Sequence, residues 1–287
     1  MVLGSGRSGT SLVANILNDF GVNVYSSGKA DLYNAKGYWE SDEINRLNTL
    51  VMAKAGGTSY YPPTHITSKM YTGKKFAKLR ERAEALVSKM NSSFGLWGWK
   101  DARFNFTFPF WNSILPRTKV IICIRNPVEA VRSMSIMDRN NNLYFLYSMW
   151  FKHNFYAIKN TTGIDRMIVF YEDFFTDTTQ LDRMFEFLNP PLSKEQVSRK
   201  VSETIQRNLR HHESSLGEVL SNPSVPFECK WLYFLLRSPK HTSLLLDTFN
   251  AMVQSTIIYS KTPLKIRFYT EILNSIGLDL AEILPFR

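Results

Sequence analysis

The sequence predicts an α/β fold: a doubly wound, mostly parallel sheet flanked by helices, followed by a helical C-terminal extension. Three observations carry that expectation. Short β-branched runs alternate with stretches of helical spacing over residues 1–195. A glycine-rich turn, Gly4-Ser5-Gly6-Arg7-Ser8-Gly9, separates a strand end from a helix start. The run Val120-Ile121-Ile122-Cys123-Ile124 is apolar without interruption, as a strand covered on both faces must be.

Taken in order, residues 1–3 are the end of a strand and 4–9 the turn. Leu12, Ile16, Leu17 and Phe20 share one face of a helix over 11–20, which Gly21 stops, and 22–25 form a second strand. Residues 26–39, with Gly28 and Gly37, read as loop, and 42–53 as a helix carrying Ile44, Leu47, Val51 and Met52. Residues 56–72 are rich in Gly, Pro, Tyr and Ser and form a surface loop. An amphipathic helix over 74–90 places Leu79, Ala83, Leu86 and Val87 together. Residues 97–100, 119–124 and 167–170 are strands, whereas 127–138, 142–159 and 180–188 are helices, the last stopped before Pro190. Beyond 195 the pattern is helical with loops. The expected division is a core over 1–195 and an extension over 196–287 packed on it, contributing to the acceptor side.

At 287 residues, with 44% hydrophobic and 14% aromatic content, the chain can bury a sizeable core. A formal net charge of +10 implies an anionic partner: nucleic acid, an acidic membrane face, or a phosphorylated or sulfated small molecule. Basic residues concentrated at strand–helix turns speak against nucleic acid, and no RNA-binding signature is present. Two cysteines, Cys123 and Cys229, make no disulfide framework, and Cys123 reads as a buried thiol. His211 and His212 are adjacent and lack spaced partners, so no metal is expected. No apolar stretch is long enough to span a bilayer. The chain therefore reads as cytoplasmic; a membrane-anchored luminal enzyme is the alternative if a segment precedes the abbreviated first strand. Asn91, Asn105 and Asn160 head N-x-[ST] sequons, which are informative only in a secreted chain.

The front loop has the form of an anion cradle. Glycines let successive N–H groups face one anion, and the helix that follows adds its positive end. Gly6, Arg7, Ser8, Gly9, Thr10 and Ser11 are the candidate donors. The spacing matches a phosphate loop, G-x-x-x-x-G, but Thr10 stands where nucleotide triphosphatases carry lysine. That substitution argues against triphosphate hydrolysis. The stretch Arg7-Ser8-Gly9-Thr10-Ser11 resembles the 5′-phosphosulfate loop of the sulfotransferases that use 3′-phosphoadenosine-5′-phosphosulfate (PAPS), a family with a P-loop-like fold.

A second stretch, residues 120–133 (VIICIRNPVEAVRS), runs from the buried strand into a helix opening at Pro127. It resembles the family's 3′-phosphate element, which implies that Arg125 and Ser133 hold that phosphate. Tyr171-Glu172-Asp173-Phe174 resembles a further family signature, and by that resemblance Tyr171 lies against the adenine end; Glu172 and Asp173 could instead cap the next segment. Trp99-Lys100-Asp101-Ala102-Arg103 is similar to the Lys-Asp-Pro-Arg stretch of carbohydrate and bacterial sulfotransferases, with Ala102 replacing proline. Lys100 could bind acceptor or leaving-group oxygens, or Asp101 could form a surface ion pair. Gly37-Tyr38-Trp39-Glu40 resembles a segment of the same branch. Glu40 is then either the general base or a carboxylate favouring the dipole of the next helix, with Asp42 and Glu43 as neighbours. Arg207 and Arg210 are either late donor contacts or a solvated basic patch.

The resemblance implies a metal-free sulfuryl transfer from PAPS to a hydroxyl or amine, with carbohydrate or glycoconjugate as the acceptor. Glu40, Lys100 and Arg7 are the expected catalytic set. A small-molecule kinase and an inactive PAPS-binding relative are the alternatives.

Overall fold

The computed structural model describes residues 1–26, 39–63, 71, 73–139, 141–177, 179–205 and 214–237. Five parallel strands form its centre. β1 (Val2–Gly4), β4 (Val120–Ile124) and β5 (Arg166–Phe170) make one sheet in the order β1-β4-β5, with Leu3 opposite Ile122 and Ile122 opposite Ile168. β2 (Asn23–Val24) and β3 (Trp97–Gly98) pair separately. A parallel bridge between Val2 and Lys100, with Val2 N–H donating to Trp99 O at 2.9 Å, joins β3 to β1. The strands thus follow the spatial order 2-3-1-4-5. β2 and β3 are shorter than expected because chain pairing lapses beyond Val24 and Gly98.

Alternation along the strands sorts the core onto two faces. Val2, Ile121, Cys123, Met167 and Val169 meet α1 (Thr10–Asp19), α7 (Thr179–Leu188) and α8 (Lys194–Thr204) on one face. Leu3, Val120, Ile122 and Ile124 meet the other, larger layer. That layer comprises α2 (Asp42–Lys54), α3 (Ala77–Ser93), α4 (Phe104–Asn112), α5 (Pro127–Asp138), α6 (Leu143–Asn160) and α10 (Phe227–Arg237). The doubly wound α/β expectation holds.

α4 has no counterpart in the sequence reading. Its residues FNFTFPFWN are buried nearly all round, so no amphipathic stripe announces a helix. Pro109 also removes the N–H that would bond the carbonyl of Asn105. Asn160 Nδ2 donates to that carbonyl at 2.7 Å instead, which lets the helix continue through the proline.

The described part of the C-terminal region is continuous with the core. Residues 195 and 196 lie inside α8, whose Val197 and Val201 join the α1 layer, and Thr204 Oγ1 donates to Asp19 Oδ2 at 2.6 Å. Beyond it, Val219 of α9 (Leu216–Ser221) and Cys229, Trp231, Leu232 and Tyr233 of α10 sit in the larger hydrophobic cluster. Among the described residues, no helix is long and apolar enough to cross a membrane.

Candidate active site

The chain leaves β1 towards β2 and leaves β4 towards β5, on opposite sides of the sheet. Their carboxyl ends therefore flank the crevice where open α/β sheets hold ligands. The loop after β1 is built for close approach. Gly4 has φ +144°, and a Cβ there would stand 2.4 Å from Cys123 O. Arg7 adopts a left-handed φ of 62°, which tightens the turn. Gly9, at φ +88°, precedes α1, and a Cβ would fall 2.1 Å from the Tyr171 ring. Only glycine lets the loop sit this close to both strands. Ser5 and Ser8 bond through their hydroxyls at 3.2 Å, and the Ser8 hydroxyl also donates to Ser5 O. Cys123 Sγ donates to Ser8 O at 2.9 Å; burial pushes this thiol far above its ordinary range, so it acts as a neutral brace. Thr10 is buried at the first turn of α1, whose positive end opens on the loop, and Ser11 follows it half-buried.

The second motif meets this loop directly. Arg7 Nε donates to Ser133 Oγ at 2.9 Å, and Arg125 Nη1 donates to Arg7 O at 3.3 Å. The Arg125 guanidinium lies 4.3 Å above the Tyr171 ring, and its Nε pairs with the buried Glu129 carboxylate at 3.1 Å. Arg7, Arg125, Ser133 and Tyr171, expected from separate stretches, therefore converge. Asn126 caps α5 through Val128 N–H at 2.9 Å, and its Nδ2 reaches Ser214 O at 3.0 Å. Ser214 N–H in turn donates to Glu129 Oε1 at 2.9 Å.

Glu172 and Asp173 do not cap the segment that follows them. Glu172 accepts the Asn126 N–H and lies 3.6 Å from Arg237, while Asp173 takes Arg237 Nη1 on both oxygens at 2.7 and 2.9 Å. Arg237 also stacks over Phe170 at 4.3 Å, so α10 is tied to the end of β5. Burial pushes the Glu172 carboxyl up to about 7; Glu129 adds to the rise, and the Asn126 bond and Arg237 oppose it.

Lys100 and Glu40 form the second cluster. Lys100 leaves the carboxyl end of β3 and is 4% exposed, with Nζ 2.6 Å from Glu40 Oε1. Glu40 Oε2 accepts from Asn45 Nδ2 at 3.1 Å. Ser41, not Glu40, caps α2, and Asp42 and Glu43 occupy its first turn. Asp101 is buried rather than in a surface pair: it accepts from Arg103 N–H at 2.8 Å, Arg103 Nη1 at 2.9 Å and Asn48 Nδ2 at 2.9 Å. Burial raises its carboxyl above the ordinary range, Arg103 pulls it down, and the Glu40 charge adds to the rise. Arg103 is thus folded back onto the turn at Ala102.

Gly37, Tyr38, Arg207, Arg210, His211 and His212 lie outside the described residues. Among the described residues, no group of three or more His, Cys, Asp or Glu side chains is placed to hold a metal ion. Glu129, Asn105, His153 and Arg237 had no site role among the sequence expectations, Asn105 standing out only as a sequon. Glu129 carried a signal, standing four residues after Arg125 at a helix start. The other three act across long chain separations that no local pattern reveals.

A comparison with curated proteins finds no match. A family model described as the sulfotransferase domain matches residues 109–222, from α4 to just beyond α9. The matched stretch includes Arg125, Ser133 and Tyr171 but not the front loop, Glu40 or Lys100. The stretch 109–222, set in a parallel sheet flanked by helices, is thus similar to the sulfotransferase domain.

Proposed function

We propose that this chain transfers a sulfuryl group from PAPS to a hydroxyl or amine of an acceptor, with carbohydrate or glycoconjugate as the acceptor class. The observation that carries the reading is the convergence of Arg7, Arg125 and Ser133 at the carboxyl ends of β1 and β4. A donor with two separated anionic groups suits a site made of one glycine-rich loop and one strand–helix turn. Gly6 faces open space, which leaves room for a phosphate over the loop. In this reading Gly6, Arg7, Ser8, Gly9, Thr10 and Ser11 hold the 5′ end, and Arg125 and Ser133 the 3′-phosphate. Tyr171, buried against Gly9 and Arg125, supports the adenine end chiefly by fixing that arginine. Arg210 would contribute from outside the described residues. Residues 1–195 serve as the donor-binding core, and the later residues supply the acceptor side.

PAPS supplies an activated sulfuryl group, and the residues supply position and charge. As the acceptor oxygen bonds to sulfur, the bond from sulfur to the 5′-phosphate oxygen breaks. Adenosine 3′,5′-bisphosphate departs with the electron pair. Glu40 takes the acceptor proton, exchanging its contact with Lys100 for the incoming hydroxyl. Arg7 and the positive end of α1 stabilise the charge gathering on the leaving phosphate. The 2.6 Å Lys100–Glu40 contact also favours a second reading of this pair, in which Glu40 orients Lys100 towards the leaving group.

Adenosine 3′,5′-bisphosphate should bind and raise the melting temperature, with a much smaller response to 5′-AMP. Equal responses would remove the assignment of Arg125 and Ser133. Labelled PAPS offered with sugars, lipids and phenols then identifies the acceptor. Performing the assay in excess chelator separates sulfuryl transfer from a magnesium-dependent kinase, which Thr10 in the lysine position already disfavours.

A further inference from the structure

Gly4 ends β1 at a place where the sheet has run out of neighbours on one side. β3 pairs with β1 only as far as Val2, after which the chain turns away through Lys100, Asp101 and Ala102. In a parallel sheet, the N–H and C=O of one residue point to the same side. Those of Gly4 would face a missing strand and would be buried without partners. The Asn105 side chain fills that position. Gly4 N–H donates to Asn105 Oδ1 at 3.0 Å, and Asn105 Nδ2 donates to Gly4 O at 2.8 Å. One amide thus reproduces both bonds of the absent strand at the residue where the loop begins.

The orientation of that amide is itself determined. The second hydrogen of Asn105 Nδ2 points to His153 Nδ1 at 2.9 Å, which requires an accepting, neutral ring. His153 is buried, and burial pushes its pKa down to about 4, opposed by the nearby backbone of Ser59 and Ala102. A flipped amide would set its NH₂ against the Gly4 N–H and its oxygen against Gly4 O. Asn105 is completely buried, so its N-x-T sequon cannot accept a glycan in this fold. The same ring faces the backbone of Ala102 and Ser59, so a polar chain runs from Gly4 through Asn105 and His153 to the turn that follows Lys100.

We infer that Asn105, oriented by His153, is a positioning residue for the donor loop: it fixes where the loop leaves β1 and registers it against the Lys100 turn. The inference rests on the donor-binding reading of that loop. It is tested with adenosine 3′,5′-bisphosphate as probe, by titration calorimetry and melting temperature on the full chain. Asn105→Ala should weaken binding at least about tenfold, because two loop-anchoring bonds are lost. His153→Phe, which leaves Gly4 untouched, should weaken it by about threefold through the freed amide. Thr161→Val removes a buried hydroxyl bonded to Ala157 O at 2.7 Å, away from the loop. It should lower the melting temperature without changing affinity. Affinity loss that tracks melting temperature equally in all three variants would reduce Asn105 to a structural residue, as would unchanged affinity in the Asn105 and His153 variants. If the Asn105 variant does not fold, the His153 result decides alone. Failure of the unaltered protein to bind the probe would overturn the donor reading and this inference together.

Discussion

Glu172 makes the protein's stability depend on pH in a direction opposite to that of most carboxylates. The residue is 6% exposed, it holds the Asn126 N–H, and Arg237 lies 3.6 Å away while bonding chiefly to Asp173. Burial displaces the carboxyl from 4.5 to about 7. A raised folded value means that the native state holds the proton more tightly than the unfolded chain. The associated stability is fully present below pH 4.5 and is lost as pH rises through about 7. Each pH unit across that window corresponds to about 1.4 kcal/mol, so ionising Glu172 costs about 3 kcal/mol in all. For a domain of this size, that is a fall of about 6–12 °C in melting temperature. Glu172→Gln keeps an oxygen for Asn126 and never ionises. Its melting temperature should exceed that of the unaltered protein only slightly near pH 5 and by several degrees more at pH 8. His153 works in the other direction, losing stability as pH falls from 6.5 towards 4, and it cancels in the difference between the two proteins. Thermal unfolding by circular dichroism across pH 5–8.5 reads the difference directly. Parallel curves for the two proteins would show that burial does not raise the Glu172 carboxyl and that it is already ionised in the native state.

Two further outcomes are expected. Glu40→Gln should lower single-turnover sulfuryl transfer by about two orders of magnitude while leaving adenosine 3′,5′-bisphosphate affinity nearly unchanged; near-normal turnover at saturating acceptor would move the search for a base to Asp42, Asp101 or His211. Gly9→Ala, placing a methyl 2.1 Å from the Tyr171 ring at φ +88°, should cost at least about 1–3 kcal/mol and weaken nucleotide binding. Gly6→Ala, with open space around it, should leave the fold unaffected; equal melting temperatures for the two variants would contradict the loop geometry.

What could be read from the sequence was what is local. β4 was legible because a strand buried on both faces needs an unbroken apolar run, and VIICI is buried throughout. The loop was legible because glycine spacing before a helix has few other uses. α4 was not, because a helix buried all round shows no periodic contrast, and Pro109 argues against one locally. Among the site residues, Arg125 and Ser133 could be named from one short stretch. Their meeting with Arg7 spans 126 positions from Arg7 to Ser133 and follows only from the sheet order. Lys100 and Glu40 were singled out for separate tasks, yet they form a pair across 60 positions. Asn105 was noticed only as a sequon, because its work depends on β3 ending early, which is a property of the sheet rather than of its neighbours in the chain.

The buried acids around Arg125 raise a question of charge. In the proposed donor reading Arg125 binds a dianion, yet it is paired with Glu129, which weakens its field at that phosphate. The compensation is geometric. A guanidinium has a planar fork, and anchoring Nε on Glu129 while the plane rests on Tyr171 leaves the terminal nitrogens with one permitted direction, towards Arg7 O and the crevice. The orientation is set before any ligand arrives, so less rotamer entropy is lost on binding. Attraction is then left to Arg7, to the positive end of α1 and to the chain's net charge of +10. Glu172 follows the same logic one layer further in: with its carboxyl raised to about 7, it accepts the Asn126 N–H while adding less than a full negative charge beneath the turn at neutral pH. A site of this kind tolerates an acid beside its arginine when the acid determines direction, and a second one when burial reduces its charge.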